Sequence, residues 1–135
     1  MSRAPINKVG LCVLREGRLL LARSRGSDVF QIPGGKVEAG DADDIAALER
    51  EIEEELGVRL DRGGLSYVGT FSAPAAGQSD RIVQVKLYEG GAPGEVAPCS
   101  EIEELLWLDL GGATDRSLSA VVQDQIVPFL RARVV

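Results

Sequence analysis

"GGKVEAGDADDIAALEREIEEELGV" runs from Gly34 to Val58, glycine-rich at its start and acidic at its end. Its second half has a helical period. Ile45, Leu48, Ile52 and Leu56 recur three, four and four residues apart, which predicts one buried stripe on a helix from about Asp44 to Leu56. Asp43 or Asp44 can cap the start, and Gly57 can stop the end. On the helical wheel Glu51, Glu54 and Glu55 share one flank of that stripe, and Glu49 and Glu53 take the other. Ala47, one turn before Glu51, leaves the first flank open to something large. In "REIEEELG", Arg50 to Gly57, five of the first six positions are charged and four of those are carboxylates. Near a helix C-terminus the macrodipole is already negative, so each such contact costs roughly a few tenths of a kcal/mol. A divalent cation would reverse the sign of that energy.

The residues preceding the helix point the same way. Pro33, Gly34, Gly35 and Gly40 predict a loop after a short strand at "VFQI". Gly34 and Gly35 let backbone approach a ligand closely, and backbone carbonyls ligate hard metals. Lys36 and Arg23 supply positive charge for a phosphate. Taken singly, each feature has a plainer reading: a solvated acidic surface, a simple turn, solvated cations. Their combination favours an oxygen-ligated metal beside a phosphate.

Composition narrows the chemistry further. The 135 residues fit one domain, here taken as 1–135, and 44% hydrophobic content suffices for a core. Only 4% are aromatic, so aliphatic packing must carry that core. The absence of histidine excludes histidine base catalysis and histidine-ligated metals, which leaves hard cations such as Mg²⁺, Mn²⁺ or Ca²⁺. Cys12 and Cys99 are far apart and form no cysteine zinc motif. A net charge of -6 argues against nucleic acid polymers and anionic membranes as partners. No apolar run has transmembrane length and no signal sequence is evident, so the expected location is cytoplasmic.

Along the rest of the chain, "KVGLCVLREGRLLLARS" predicts two strands around a turn at Glu16-Gly17. "LSYVGTFSA" predicts a strand, "APAAGQSD" a loop, and "RIVQVKLYE" an alternating strand. "EIEELLWLDL" turns into an apolar strand, and "SLSAVVQDQIVPFLRARVV" predicts an amphipathic helix that Pro128 should end or kink. Strands and helices in this order predict an α/β (α+β) fold with helices on a mixed sheet.

The quoted stretch resembles the box of the Nudix hydrolases: a Gly, an acidic residue, then R-E-U-x-E-E-x-G-U with U aliphatic. Gly35 matches the opening Gly, and Arg50, Glu51, Ile52, Glu54, Glu55, Gly57 and Val58 match the closing run. Two departures stand out. The first acid is Asp41 rather than Glu, and eight residues separate it from Arg50 where the family has seven. The extra residue is expected around Ala42 to Asp44, and the role of Asp41 stays open. The resemblance covers essentially the whole chain, with the box at residues 35–58. It implies an α/β/α sandwich around a central mixed sheet. It also implies Mg²⁺- or Mn²⁺-dependent cleavage of a diphosphate bond in a nucleoside diphosphate linked to another moiety.

Carried over residue by residue, Glu51, Glu54 and Glu55 would hold metal, with the Gly35 carbonyl as a further ligand and Arg50 orienting the glutamates. Glu101, with Glu103 and Glu104 behind it, is the candidate for an additional acid from outside the box. Glu54 stands first and Glu51 second as the base, and Arg23 and Lys36 would bind phosphate oxygens. The small size is similar to MutT-type enzymes acting on nucleoside triphosphates. Pro74 is similar in placement to a proline of ADP-ribose pyrophosphatases, so ADP-ribose or a nucleotide sugar is the alternative substrate. A base could stack only on Phe30, Tyr67, Phe71, Tyr88, Trp107 or Phe129. The rival of another class is a non-catalytic nucleotide-sensing Nudix domain, against which the intact glutamates count. Apolar sheet edges or the C-terminal helix leave a homodimer open.

Overall fold

The structure, a computed structural model, describes residues 4–75, 78–91 and 94–133, with backbone alone for 78 and 79. Nine strands, a three-residue 3₁₀ turn and two helical segments follow one another among these residues. They are β1 (Ile6–Cys12), β2 (Leu14–Arg15), β3 (Arg18–Ser24), β4 (Val29–Gln31), β5 (Gly34–Lys36), α1 (Asp44–Leu56), β6 (Ser66–Ala75), β7 (Gln78–Glu89), β8 (Ile102–Asp109), β9 (Ser117–Leu118) and α2 (Val127–Arg133).

The strands form two mixed sheets rather than the one central sheet expected. One has the order β5-β1-β7-β6, and the other β2-β3-β4-β9 with β8 also on β3. In the first sheet β1 runs parallel to β7 and antiparallel to β5. The split arises at Val13. The apolar run "VGLCVL" reads as one strand, but β1 ends at Cys12 and Leu14 resumes in the second sheet. Val13 itself is buried, and its carbonyl accepts from Leu20 N at 3.0 Å. The predicted turn does form, with Glu16 and Gly17 both at positive φ (53° and 76°) joining the facing residues Arg15 and Arg18.

Side-chain alternation places a helical layer on each face. Val9, Leu11, Val13 and Leu20 pack with Ala47, Leu48, Ile52 and Leu56 of α1. Cys12, Leu19, Leu21, Phe30 and Leu87 pack with Val122, Ile126 and Leu130 at the C-terminus. Each fully covered Leu or Ile contributes roughly 1.5–3 kcal/mol relative to exposure. Ala47 therefore belongs to the core and does not leave an opening on the carboxylate flank.

Three local expectations are corrected. Gly34–Lys36 is a strand antiparallel to β1, not a loop. Gly34 sits at φ 146°, and a Cβ there would lie 2.0 Å from the Val9 carbonyl oxygen. The glycines are thus required by a partner strand as well as by the site. The expected loop at residues 73–80 is mostly strand, since β6 reaches Ala75 and β7 begins at Gln78. Pro74 is tolerated because β6 is an edge strand, and the register shifts beside it. The C-terminal helix begins later than expected, because Ser117–Leu118 pairs with β4. It continues through Pro128 after a wide π turn at Val122–Ile126, where Val127 N–H donates to the Val122 carbonyl. Widening the turn makes room for a ring that would otherwise clash one turn back. No helix among the described residues is long and apolar enough to cross a membrane.

Candidate metal and phosphate site

Local sequence fixes both ends of α1. The Asp43 carboxylate accepts from Ala46 N at 2.7 Å, and Gly57 closes the helix in the left-handed conformation with its N–H on the Glu53 carbonyl. Between these caps the apolar stripe faces β1, which fixes the direction of the acidic flank. That flank meets β5. A Cβ built on Gly35 would lie 2.5 Å from Glu51 Cδ, so the Glu51 carboxylate rests directly on the glycine. One turn on, Glu55 Oε1 accepts from Gly34 N at 3.4 Å. Burial, with the Glu51 carboxylate alongside, pushes the Glu55 carboxyl up to about 8.

Arg50 holds this array from the other side. Its Nη1 donates to Glu51 Oε1 at 2.8 Å, and its Nη2 donates to the Lys36 carbonyl at 3.3 Å. Two further bonds go to Asp41, Nε to Oδ1 at 3.1 Å and Nη2 to Oδ2 at 3.0 Å. Asp41 also accepts from Glu38 N, and these bonds hold its carboxyl below the usual range. The open question about Asp41 is thereby answered: it anchors the arginine. Ala42 and Asp43, within the stretch where the additional residue is expected, form a bend ahead of the helix. Glu54 stands apart from the Glu51–Glu55 pair, half exposed and 3.9 Å from Arg50 Nη1.

Among the described residues no three acidic, thiol or imidazole side chains already converge as a complete metal cage. Two carboxylates and the β5 backbone do converge, with a third carboxylate beside them. Those donors fit a hard cation of the Mg²⁺ kind, which binds few carboxylates and completes its shell with water and substrate oxygens. The raised Glu55 carboxyl reflects first its burial and then the Glu51 carboxylate beside it.

The same glycines line a cavity of about 440 Å³. Its walls are aliphatic, with Val29, Ile32, Val83, Val85 and Leu118, and its polar groups include Lys8, Ser27 and Gln31. Pro74 lines it as well. None of the six aromatics considered for stacking does. Tyr67 packs edge-on against Tyr88, and Phe71 against Phe129. Phe30 is buried beneath Arg116, and Trp107 lies under Arg15.

The remaining sequence candidates lie as follows. Lys36 is exposed at the end of β5. Arg23 is engaged elsewhere: Nε and Nη2 bond Glu104, and Nη1 donates to the Ser27 carbonyl. Glu103 approaches the same guanidinium at 3.5 Å, and Arg116 also bonds Glu104. Glu101 is exposed, and its backbone carbonyl accepts from Arg25 N at 2.7 Å. No described contact joins its carboxylate to Glu51 or Glu55. Lys8 was not singled out from sequence. The signal available was a lone cation in an apolar strand, on the same face as Gly10.

The model of the NUDIX domain matches residues 5–129. The chain belongs to the NUDIX family. Its fold is that of solved Nudix proteins. A MutT NUDIX hydrolase from Burkholderia pseudomallei is 27% identical, with a TM-score of 0.71 over 87% of this chain and 93% of that one. The E. coli ORF135 protein is 26% identical, with a TM-score of 0.71 over 98% and 92%. A MutT protein from Methanosarcina mazei Go1 is 24% identical, with a TM-score of 0.74 over 98% of both chains. No curated protein matches. The chain is thus a Nudix hydrolase, a class that acts on nucleoside diphosphate derivatives and generally uses divalent metals. The stretch resembling the box, residues 35–58, runs from within β5 through the bend and α1.

Proposed function

We propose that this Nudix hydrolase is a pyrophosphohydrolase dependent on Mg²⁺ or Mn²⁺. Its preferred substrate is a nucleoside triphosphate or an oxidised nucleotide, cleaved at a diphosphate bond. One observation carries the reading: Glu51 and Glu55 converge on the Gly34–Gly35 backbone, and those same glycines line a cavity. The cavity takes the nucleoside moiety, and its volume falls in the usual range for small-molecule sites. The diphosphate then lies across β5, facing the acidic flank.

Glu51, Glu54, Glu55 and the Gly35 carbonyl would hold the metal, with Glu101 a candidate for a further ligand. A divalent ion there supplies charge neutralisation and a more acidic water. Arg50 fixes Glu51 through its short Nη1 bond, itself braced by Asp41. Glu54, outside the locked pair, is the first candidate to take the proton of the attacking water, and Glu51 the second. Lys36 bears on the phosphate oxygens. Arg23, tied to Glu104, contributes there only after releasing it.

ADP-ribose or a nucleotide sugar is the second reading, and the observation favouring it is Pro74 in the cavity wall. A panel of nucleoside triphosphates, ADP-ribose and nucleotide sugars, incubated with Mg²⁺ or Mn²⁺, separates the two by their phosphate-containing products. No turnover of any member, together with no measurable binding of either metal, would remove the hydrolase reading.

A further inference from the structure

We propose that Lys8 is a further substrate-binding residue, acting beside Lys36 as a clamp on the phosphate that adjoins the moiety held in the cavity. The inference rests on the diphosphate-hydrolase reading above and adds a residue that reading does not contain.

The position of Lys8 is set by strand register. It lies directly opposite Lys36 across the antiparallel β1–β5 ladder, while Val9 faces Gly35 and Gly10 faces Gly34. Residues facing each other in this way project to the same side of a sheet. Lys8 lines the cavity together with Gly34 and Gly35, and among the described residues lining it Lys8 is the one cation. Glu51 and Glu55 lie close enough to act on its charge. The ammonium therefore stands where an aliphatic cavity meets the acidic flank.

For the strand alone this residue is a poor choice. Lysine is depleted in strands, like charges directly opposite destabilise, and a half-covered ammonium loses hydration. No ion pair within 4.0 Å offsets these costs among the described residues. An anion bound between the two lysines would offset all three.

Charge balance at the site leads to the same residue. A diphosphate approaching Glu51, Glu54 and Glu55 meets three carboxylates on a chain of net charge -6. Nearby guanidiniums are already committed, Arg50 to Asp41 and Glu51, and Arg23 and Arg116 to Glu104. Lys8 and Lys36 remain, side by side. A phosphate between them is anchored on its cavity side while its neighbour faces the metal ligands. Lys8 then selects compounds whose phosphate is joined directly to the cavity-bound group, and it acts on KM more than on kcat.

The test is calorimetry with Mg²⁺ and the α,β-methylene analogue of a nucleoside triphosphate, on wild type, Lys8→Met and Lys8→Arg. Expected for Lys8→Met is a loss of about tenfold to a hundredfold in analogue affinity. Lys8→Arg should keep most of the affinity. Mn²⁺ affinity without nucleotide, and Tm, should be unchanged or raised in both variants, whereas a merely structural lysine would lower Tm. Wild-type affinity in Lys8→Met, or an equal loss in a folded Lys8→Arg, overturns the proposal. Lys8-dependent binding without turnover of any nucleoside diphosphate derivative upholds it and removes the hydrolase reading. Turnover with Lys8-independent binding does the reverse, and no analogue binding by wild type overturns the clamp while leaving the hydrolase reading to the turnover panel.

Discussion

Arg50 and Asp41 meet in a two-pronged ion pair, Nε to Oδ1 at 3.1 Å and Nη2 to Oδ2 at 3.0 Å. A planar guanidinium gripped at two points cannot rotate, so its remaining Nη1 stays aimed at Glu51. Asp41 thus acts on the site at second hand. Asp41→Ala should lower kcat by about tenfold to a hundredfold through misplacement of Glu51. Asp41→Glu, longer by one methylene, should restore part of the loss. Steady-state kinetics with a fixed saturating metal checks this, and an Asp41→Ala enzyme with wild-type kcat would contradict it.

The two glycines of β5 should fail in different ways. A methyl on Gly34 would strike the Val9 carbonyl at 2.0 Å, in a backbone conformation that side chains rarely adopt. Backbone of a paired strand cannot yield, so Gly34→Ala should cost about 1–3 kcal/mol or more in stability. The three atoms nearest a methyl on Gly35 all belong to the Glu51 carboxylate, at 2.5 to 2.8 Å. That side chain can swing away, so Gly35→Ala should fold but lose about a hundredfold in activity. Urea unfolding and turnover, measured on both variants, separate the two effects.

The acidic flank should sort by function. Glu54→Gln should lower kcat by roughly a hundredfold to ten-thousandfold if Glu54 takes the proton. Glu49 is held by Arg62 on the opposite flank, and Glu53 is exposed there. Glu49→Gln and Glu53→Gln should therefore stay within about twofold of wild type, a change worth less than ~0.5 kcal/mol. Kinetics on the three variants under one metal concentration decides the assignment. Unchanged turnover in Glu54→Gln would move the base to Glu51.

What the sequence made legible was local. Helix α1 could be placed closely, with only the choice of Asp43 or Asp44 as cap left open, because the caps and the apolar period all act within a few neighbours. The break between the two sheets at Val13 carries no such mark, since it falls inside an unbroken apolar run. Gly34 and Gly35 read as a loop because the groups that require them, Val9 and Glu51, are distant in the chain. Arg23 read as free for phosphate because its acid, Glu104, lies 81 residues away. Lys8 acquires meaning only when residues from Lys8 to Val121 enclose one cavity. Motif spacing thus singled out the carboxylates on one flank of α1, while the groups packed around them depend on contacts that tertiary structure alone creates.

Burial of Glu55, with Glu51 beside it, should make the stability of the metal-free protein depend on pH. The folded carboxyl is pushed up to about 8 from its ordinary 4.5, chiefly by burial. Between those values the folded state holds a proton that the unfolded chain has released. By linkage, stability is fully present below pH 4.5 and is lost as pH rises through about 8. A cation bound to the ionised pair favours the form that high pH produces, so Mg²⁺ should flatten the decline and should stabilise more strongly at higher pH. Glu55→Gln removes the titrating group and should flatten the profile without metal. Thermal unfolding of wild type and Glu55→Gln across this range, with chelator or with excess Mg²⁺, supplies four curves. A wild-type Tm that stays level in chelator would show that Glu55 is not the strained carboxyl. A Mg²⁺ effect of equal size at both ends of the range would show that the ion binds away from it.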